Sequence, residues 1–258
     1  IGRRDRRNIK KITFGFLFLA SYGFAAEIHE PLHPDWSFEG PFGIYERASL
    51  QRGYQVYTEV CSGCHSMDLL SYRNLIEEGG PEFSKEQAKA MAAMFEVEDG
   101  PNEDGEMYMR PAILSDYFVS PWENKQQARV ANGGAYPPDL SVIVKAREGG
   151  ADYIYSLLIG YEDPPSDMEI DDGVYYNIYA KGEKIAMPQP LYEDGVEYTD
   201  GTVATPEQMA HDVTMFLTWA AEPKLEARKR IGFKVISYLI ILSFLLYFTN
   251  RRIWKDTH

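Results

Sequence analysis

The chain holds two thiols in 258 residues, Cys61 and Cys64, and His65 follows the second at once. A pair so close can close no disulfide framework, so the fold must find its cohesion elsewhere. Zinc wants four ligands, usually with a second Cys or His pair at a set distance, and there is no third cysteine. A redox dithiol should close a strand of a βαβ unit. Here Leu50, Tyr54, Tyr57 and Val60 recur at helical spacing, behind Ser49 as N-cap, and predict a helix running into Cys61. Covalent haem attachment remains. Two thiols on one helical turn can reach both vinyl groups on one edge of a porphyrin, and the next residue places an imidazole under the iron. The sequence thus predicts one haem c, joined through Cys61 and Cys64, with His65 as an axial ligand.

The other axial position could be filled by any of nine methionines or four further histidines. Met209 and Met215, like Met91 and Met94, fall on amphipathic helical patterns where a core role is the simpler one. Met187 stands in Ile185-Ala186-Met187-Pro188-Gln189-Pro190, a proline-stiffened loop that could hold a thioether at fixed distance from the iron. It is the expected ligand, with Met168 next in order.

Arginines and lysines crowd Arg3 to Lys11, an apolar run covers Ile12 to Phe24, and Ala25-Ala26 precede Glu27. That order is the one of an export signal, expected over residues 1–26, although an organelle presequence or an internal signal of a longer precursor would read alike. The run is too short for a comfortable crossing, which takes roughly 20 residues. Ile231 to Thr249 is long enough, at 1.5 Å per residue about 28 Å, with Lys234 as its one charge and basic flanks on both sides. It predicts a membrane anchor over 231–249 and a short inner tail over 250–258. The body then faces outward: the periplasm of a bacterial inner membrane or, alternatively, the intermembrane-space side of the mitochondrial inner membrane.

Between these segments, residues 34–223 read as one domain, mostly α with long ordered loops. Thr205 as N-cap and Pro206 in the first turn open a helix with Met209, Val213, Phe216 and Leu217 on one face. Shorter helices are expected over Lys85 to Phe95 and Asp152 to Ile159, and strand alternation over Val174 to Tyr179. Loops this long need something to hold them, and a large central cofactor would serve. The formal net charge of -13, from 39 acidic and 26 basic residues, argues against nucleic acid and for a basic protein partner. Two acidic runs, Glu96 to Glu106 and Glu162 to Asp172, are expected as exposed loops that either only solvate the surface or steer such a partner.

With Cys61 to His65, Asn132-Gly133-Gly134-Ala135-Tyr136-Pro137-Pro138-Asp139-Leu140-Ser141, the Met187-Pro188 loop and Trp219-Ala220-Ala221-Glu222-Pro223 before an anchor, residues 36–254 resemble the cytochrome c1 family of the quinol:cytochrome c oxidoreductase (bc1) complex. The resemblance implies a cytochrome c-like haem domain plus one C-terminal transmembrane helix. It further implies that Asn132 and Pro138 line the haem, that Arg147 pairs with a propionate and that Tyr153 packs nearby. Gln189 departs from the family, which often has another proline there. Implied partners are a cytochrome b subunit, the Rieske iron-sulfur protein as electron donor and cytochrome c as acceptor, in a dimeric complex. The chain would then be an electron-transfer subunit with no catalytic site of its own. A free tethered cytochrome c, an oxidase haem subunit, a peroxidase with an open sixth site and a haem sensor are the competing readings. The single haem motif, Met187 and the short inner tail weigh against them.

Overall fold

The computed structural model describes residues 29–255. The expected leader over 1–26 lies outside them, as do the last three residues of the expected inner tail. Within them the chain is mostly helical, with two small antiparallel hairpins.

Two helices distant in sequence form the frame: α1, Arg47–Val56, and α6, Pro206–Ala221. Glycine at position 53 is what lets them meet, because a Cβ there would collide with the Asp212 carbonyl and with Cβ of Phe216. The sequence signals at the start of α6 hold: Thr205 Oγ1 accepts from Gln208 N at 3.2 Å, and Pro206 occupies the first turn. Twelve of its 16 residues are buried, so α6 is a central helix covered on more than the one face its pattern implied. α1 differs from expectation. Glu46, not Ser49, is its N-cap, and Ser49 is a buried residue inside the first turn whose hydroxyl bonds the Glu46 carboxylate. The helix then loosens into a π-helical turn, Tyr57–Cys61, that delivers the first cysteine.

Aromatic rings fill the space where α1 and α6 cross. Phe216 packs against Tyr54, Tyr57 and Trp219 at centroid separations of 5.8, 6.0 and 5.5 Å, and Tyr72 against Phe118 at 4.8 Å. α2, Lys85–Ala92, ends before the expected Phe95, and Met94 beyond it is exposed rather than in the core. The acidic run 96–106 is not a plain loop. It contributes β1, Glu96–Asp99, paired antiparallel with β2, Tyr108–Pro111. Arg110 there binds both Asp99 and Asp116, so part of the run's charge is neutralised. β1 does alternate, with Glu96 and Glu98 exposed and Val97 and Asp99 half-buried, but a four-residue run with Val97 as its one apolar side chain gives too little contrast to read from sequence.

α4, Ile143–Ala146, and α5, Gly150–Ile159, pack against α6 and against each other, and α3, Lys125–Ala131, leads into the loop that starts at Asn132. The strand expected over 174–179 shrinks to β3, Tyr175–Tyr176, paired with β4, Lys184–Ile185. Last comes α7, Leu225–Ile253, a 29-residue helix long and apolar enough to cross a membrane, with a mean hydropathy of 2.1 over its apolar window, none of that window being buried by the protein.

Candidate functional site

α6, the π-helical turn that follows α1, α4, α5 and the loops after α3 and β4 line a cavity of about 550 Å³, within the range of pockets that take a whole cofactor. Cys61, Cys64, His65, Asn132, Pro138, Arg147, Tyr153 and Met187 all line it. Most of the remaining wall is apolar, with Val60, Leu140, Ile143, Ile154, Leu157, Leu158, Val213 and Leu217 among its residues.

Cys61 is the last residue of the π-helical turn, and the backbone closes behind it through Cys64 N and His65 N, which donate to the Cys61 carbonyl at 3.1 and 2.9 Å. Desolvation, with a smaller push from Cys64, raises the Cys61 thiol to about 12. That is the reverse of the depressed values that activate a redox dithiol.

His65 is oriented by a residue 73 positions away. A carbonyl can only accept, so Nδ1 must carry the proton that bonds the Pro138 oxygen at 2.7 Å. Burial lowers the imidazole's pKa, and the Pro138 bond opposes that only in part, so the ring is neutral at physiological pH. Nε2 then keeps its lone pair, as in metal-ligating histidines whose other nitrogen is tied to a carbonyl. The Pro138 loop is itself stapled to the segment after the motif. Asp139 accepts from Ser66 Oγ, Asp68 N and Ser141 N at 2.9, 2.8 and 2.9 Å, and Leu140 N donates to the Ser66 carbonyl at 2.9 Å. Trp122 adds a bond from Nε1 to the Cys64 carbonyl at 2.9 Å.

Met187 is the single methionine of the nine that lines the cavity; Met209 and Met215 are fully buried in the core, and Met168 lies elsewhere. Its backbone is fixed by Tyr161, whose hydroxyl donates to the Met187 carbonyl at 3.0 Å. Tyr161 in turn bridges Asn177, a fully buried residue that bonds the Leu157 carbonyl of α5 at 2.8 Å. Gln189 supplies its own stiffening, since its side-chain amide donates to the Leu191 carbonyl at 2.9 Å.

Arg147 is exposed and bonds only the Ala146 carbonyl, at 3.3 Å; no carboxylate pairs with it among the described residues. Its guanidinium is available to an anionic group at the cavity mouth. Asn132 has its amide on the Ala128 carbonyl at 2.7 Å, which caps α3, so the turn role and the place on the cavity wall coexist in one residue. Tyr153 stands on α5 against Gly149.

Asp139, Trp122, Tyr161 and Asn177 were missed by sequence reasoning. Only Asp139 carried a local signal, inside the Pro137-Pro138-Asp139 turn. The donor set fits the group expected from the motif: two thiols, one neutral imidazole with a free lone pair, one thioether, apolar walls and a cation at the rim.

A model of the Cytochrome C1 family matches residues 36–257. Cytochrome b/c1 of Bradyrhizobium diazoefficiens is 45% identical over 97% of this chain, which spans 40% of that protein. A mitochondrial cytochrome c1 heme protein of Arabidopsis thaliana is 52% identical over 86% of this chain and 71% of its own length. The mitochondrial cytochrome b-c1 complex catalytic subunit of Candida albicans is 48% identical over 88% of this chain and 78% of its own length. The chain belongs to the cytochrome c1 family.

Proposed function

We propose that this member of the cytochrome c1 family is the haem-carrying electron-transfer subunit of a cytochrome bc1 complex, taking electrons from the Rieske iron-sulfur protein and passing them to cytochrome c. One observation carries the reading: a single apolar cavity brings together Cys61, Cys64, an oriented neutral His65 and, of nine methionines, Met187 alone. When bound, haem supplies a one-electron couple at its iron. Cys61 and Cys64 would fix it through two thioether bonds, His65 Nε2 and Met187 Sδ would hold its iron, and Arg147 would pair with an anionic edge of the group. Asn132, Pro138 and Tyr153 would complete the walls. The Pro138 carbonyl holds the imidazole in one tautomer and plane, so this side chain is positioned before the group binds. The α7 helix would anchor the domain, with the cytochrome b subunit beside it and the haem domain on the outer face of the membrane. Names of the relatives support membership of the complex, and a dimeric assembly is part of the same proposal.

The acidic run around Glu162 to Asp172 stays exposed and suits steering of a basic acceptor, more so than the run in β1 and β2, where Arg110 neutralises part of the charge. The test of the site is Met187→Leu. The reduction potential should fall and the ferrous protein should bind carbon monoxide, while haem stays attached through acid-acetone extraction. If potential and carbon monoxide behaviour match those of the parent, Met187 is not a ligand. Purification without a two-haem b-type subunit and an iron-sulfur protein would favour a free tethered cytochrome instead.

A further inference from the structure

The loop before α1 carries a feature that the haem site leaves unexplained. Residues 37–44 close on themselves: Glu39 N donates to the Trp36 carbonyl and Ile44 N to the Ser37 carbonyl, each at 3.0 Å. Gly40 takes a left-handed φ of 69°, and a Cβ at Gly43 would run into the Phe38 and Glu39 backbone, so both positions require glycine for the turn to close. The result is a short rigid loop whose tip, Pro41-Phe42-Gly43-Ile44, bears no charged or hydrogen-bonding side chain. Phe42 is 72% exposed and Ile44 58% exposed.

The position of this tip is set by α7. Lys229 donates to the carbonyls of Phe38 and Gly43, clamping the base of the loop to the helix. The Phe42 ring packs edge-on against Phe233 at a centroid separation of 5.7 Å. Phe233 lies two residues inside the apolar stretch that begins at Ile231, about 3 Å along the axis from its polar end. The tip is therefore held at the level where the apolar stretch starts.

A headgroup phosphate is not what the loop itself is built for: the cations at its base have partners, and the exposed Lys234, next to Phe233, is on α7 and not on the loop. Lys224 pairs with Glu77, Arg228 with Glu222 and Arg230 with Glu78, while Lys229 is taken up by the two loop carbonyls. What remains is apolar surface continuous with that of α7. We propose that the Pro41–Ile44 loop is a second membrane contact of the haem domain, seating Phe42 and Ile44 among lipid acyl chains at the edge of the hydrocarbon, as interfacial apolar side chains do. The inference rests on the reading of α7 as a membrane span. Two contacts, one through the helix and one through the loop, fix the tilt of the domain against the bilayer, which a single helix cannot do.

The test uses the full haem-loaded chain in phosphatidylcholine vesicles, spin-labelled in turn at Phe42→Cys, at Leu245→Cys inside the apolar stretch of α7, about 6 Å from its far end, and at Glu103→Cys in the hairpin turn. Collision with oxygen, which concentrates in lipid, is compared with collision with a water-soluble nickel chelate. The label at position 42 should show a several-fold higher oxygen-to-nickel ratio than the label at 103, and a lower one than at 245. If 42 matches 103 while 245 reads as deep, the loop sits in water and the inference falls while the span stands. If 245 also reads as water, the span itself fails and takes the inference with it. A label at 42 shielded from both reagents means a protein surface covers the tip, a second copy of the chain in these vesicles, and also overturns the proposal. Should Phe42→Cys not retain haem, Ile44→Cys reports on the same tip.

Discussion

Helices α6 and α7 follow one another across three residues, and both are rich in large apolar side chains, yet their surroundings are opposite. α6 has twelve of 16 residues buried, whereas α7 buries Leu225 alone of 29. Apolar content by itself therefore says only that a segment must leave water. In α6 the protein supplies the apolar medium, through α1, α5 and the aromatic cluster at Phe216. In α7 the same side chains face outward, and an outside medium must supply it. The border between the two regimes does not fall at the linker. The first turns of α7 still belong to the domain: Glu226 takes a bidentate pair from Arg47 at 2.7 and 2.9 Å and a bond from Tyr45 N at 2.8 Å.

The widest test of this contrast removes one ring from each helix. Phe216→Ala, at a fully buried position, should cost about 4 kcal/mol of domain stability. Phe244→Ala, at a position 60% exposed, should change it by less than about 0.5 kcal/mol. Chemical unfolding of the haem-loaded protein in detergent, followed by the haem absorbance, reads both. Equal losses would mean that α7 packs on the domain and that the contrast is false.

Next in size is the one charge inside the α6 core. Asp212 is fully buried and receives Arg52 of α1 through Nε at 2.7 Å and Nη2 at 3.1 Å, with Gln208 Nε2 at 3.0 Å. Arg52→Leu leaves that carboxylate without its cation and should cost roughly 3 kcal/mol at neutral pH. Burial alone would raise the Asp212 carboxyl, but the groups facing it, His211, Arg52 and Gln208, outweigh burial and hold it below the usual range. Asp200, bonded by Thr202 and Arg52, is held at about 2. Both carboxyls have folded pKa values below their unfolded ones. Their contribution is thus complete above the ordinary value of 3.8 and is lost as the pH falls through the folded pKa values, about 2 for Asp200. An acid titration of stability should show that loss in the parent and a flatter curve in Arg52→Leu. Parallel curves would assign the acid sensitivity to other carboxylates.

The smallest effect belongs to the border. Glu226→Gln removes the charge that ties the base of α7 to Arg47, a partly buried pair, and should cost about 1.5 kcal/mol. The sharper readout is hydrogen exchange: the amides of residues 225–230 should open faster while those of α6 stay protected. If exchange is unchanged, Lys229 and the Tyr45 ring, which bonds the Thr218 and Glu222 carbonyls, hold the junction without the ion pair.

What the sequence determined by itself were the features written within one or two turns of chain. The cysteine pair and its histidine are contiguous, the Thr205-Pro206 cap acts over three residues, and the length of the 231–249 stretch is a simple count. Each is a local physical constraint, so it survives without knowledge of the rest. Met187 too is marked locally, by the prolines of its loop, whereas the tertiary structure alone decided that Pro138 should fix the imidazole and that Tyr161 should hold the Met187 backbone. Those pairings join residues 26 to 73 positions apart and carry no period or spacing. The start of α1 and the pairing of β1 with β2 also escaped the sequence, the first because a buried serine looks like a cap, the second because a four-residue strand with Val97 as its one apolar side chain gives too little alternation to read. Contacts of that kind exist only once α1 and α6 have crossed, since it is this crossing, permitted by Gly53, that brings the loops to one cavity.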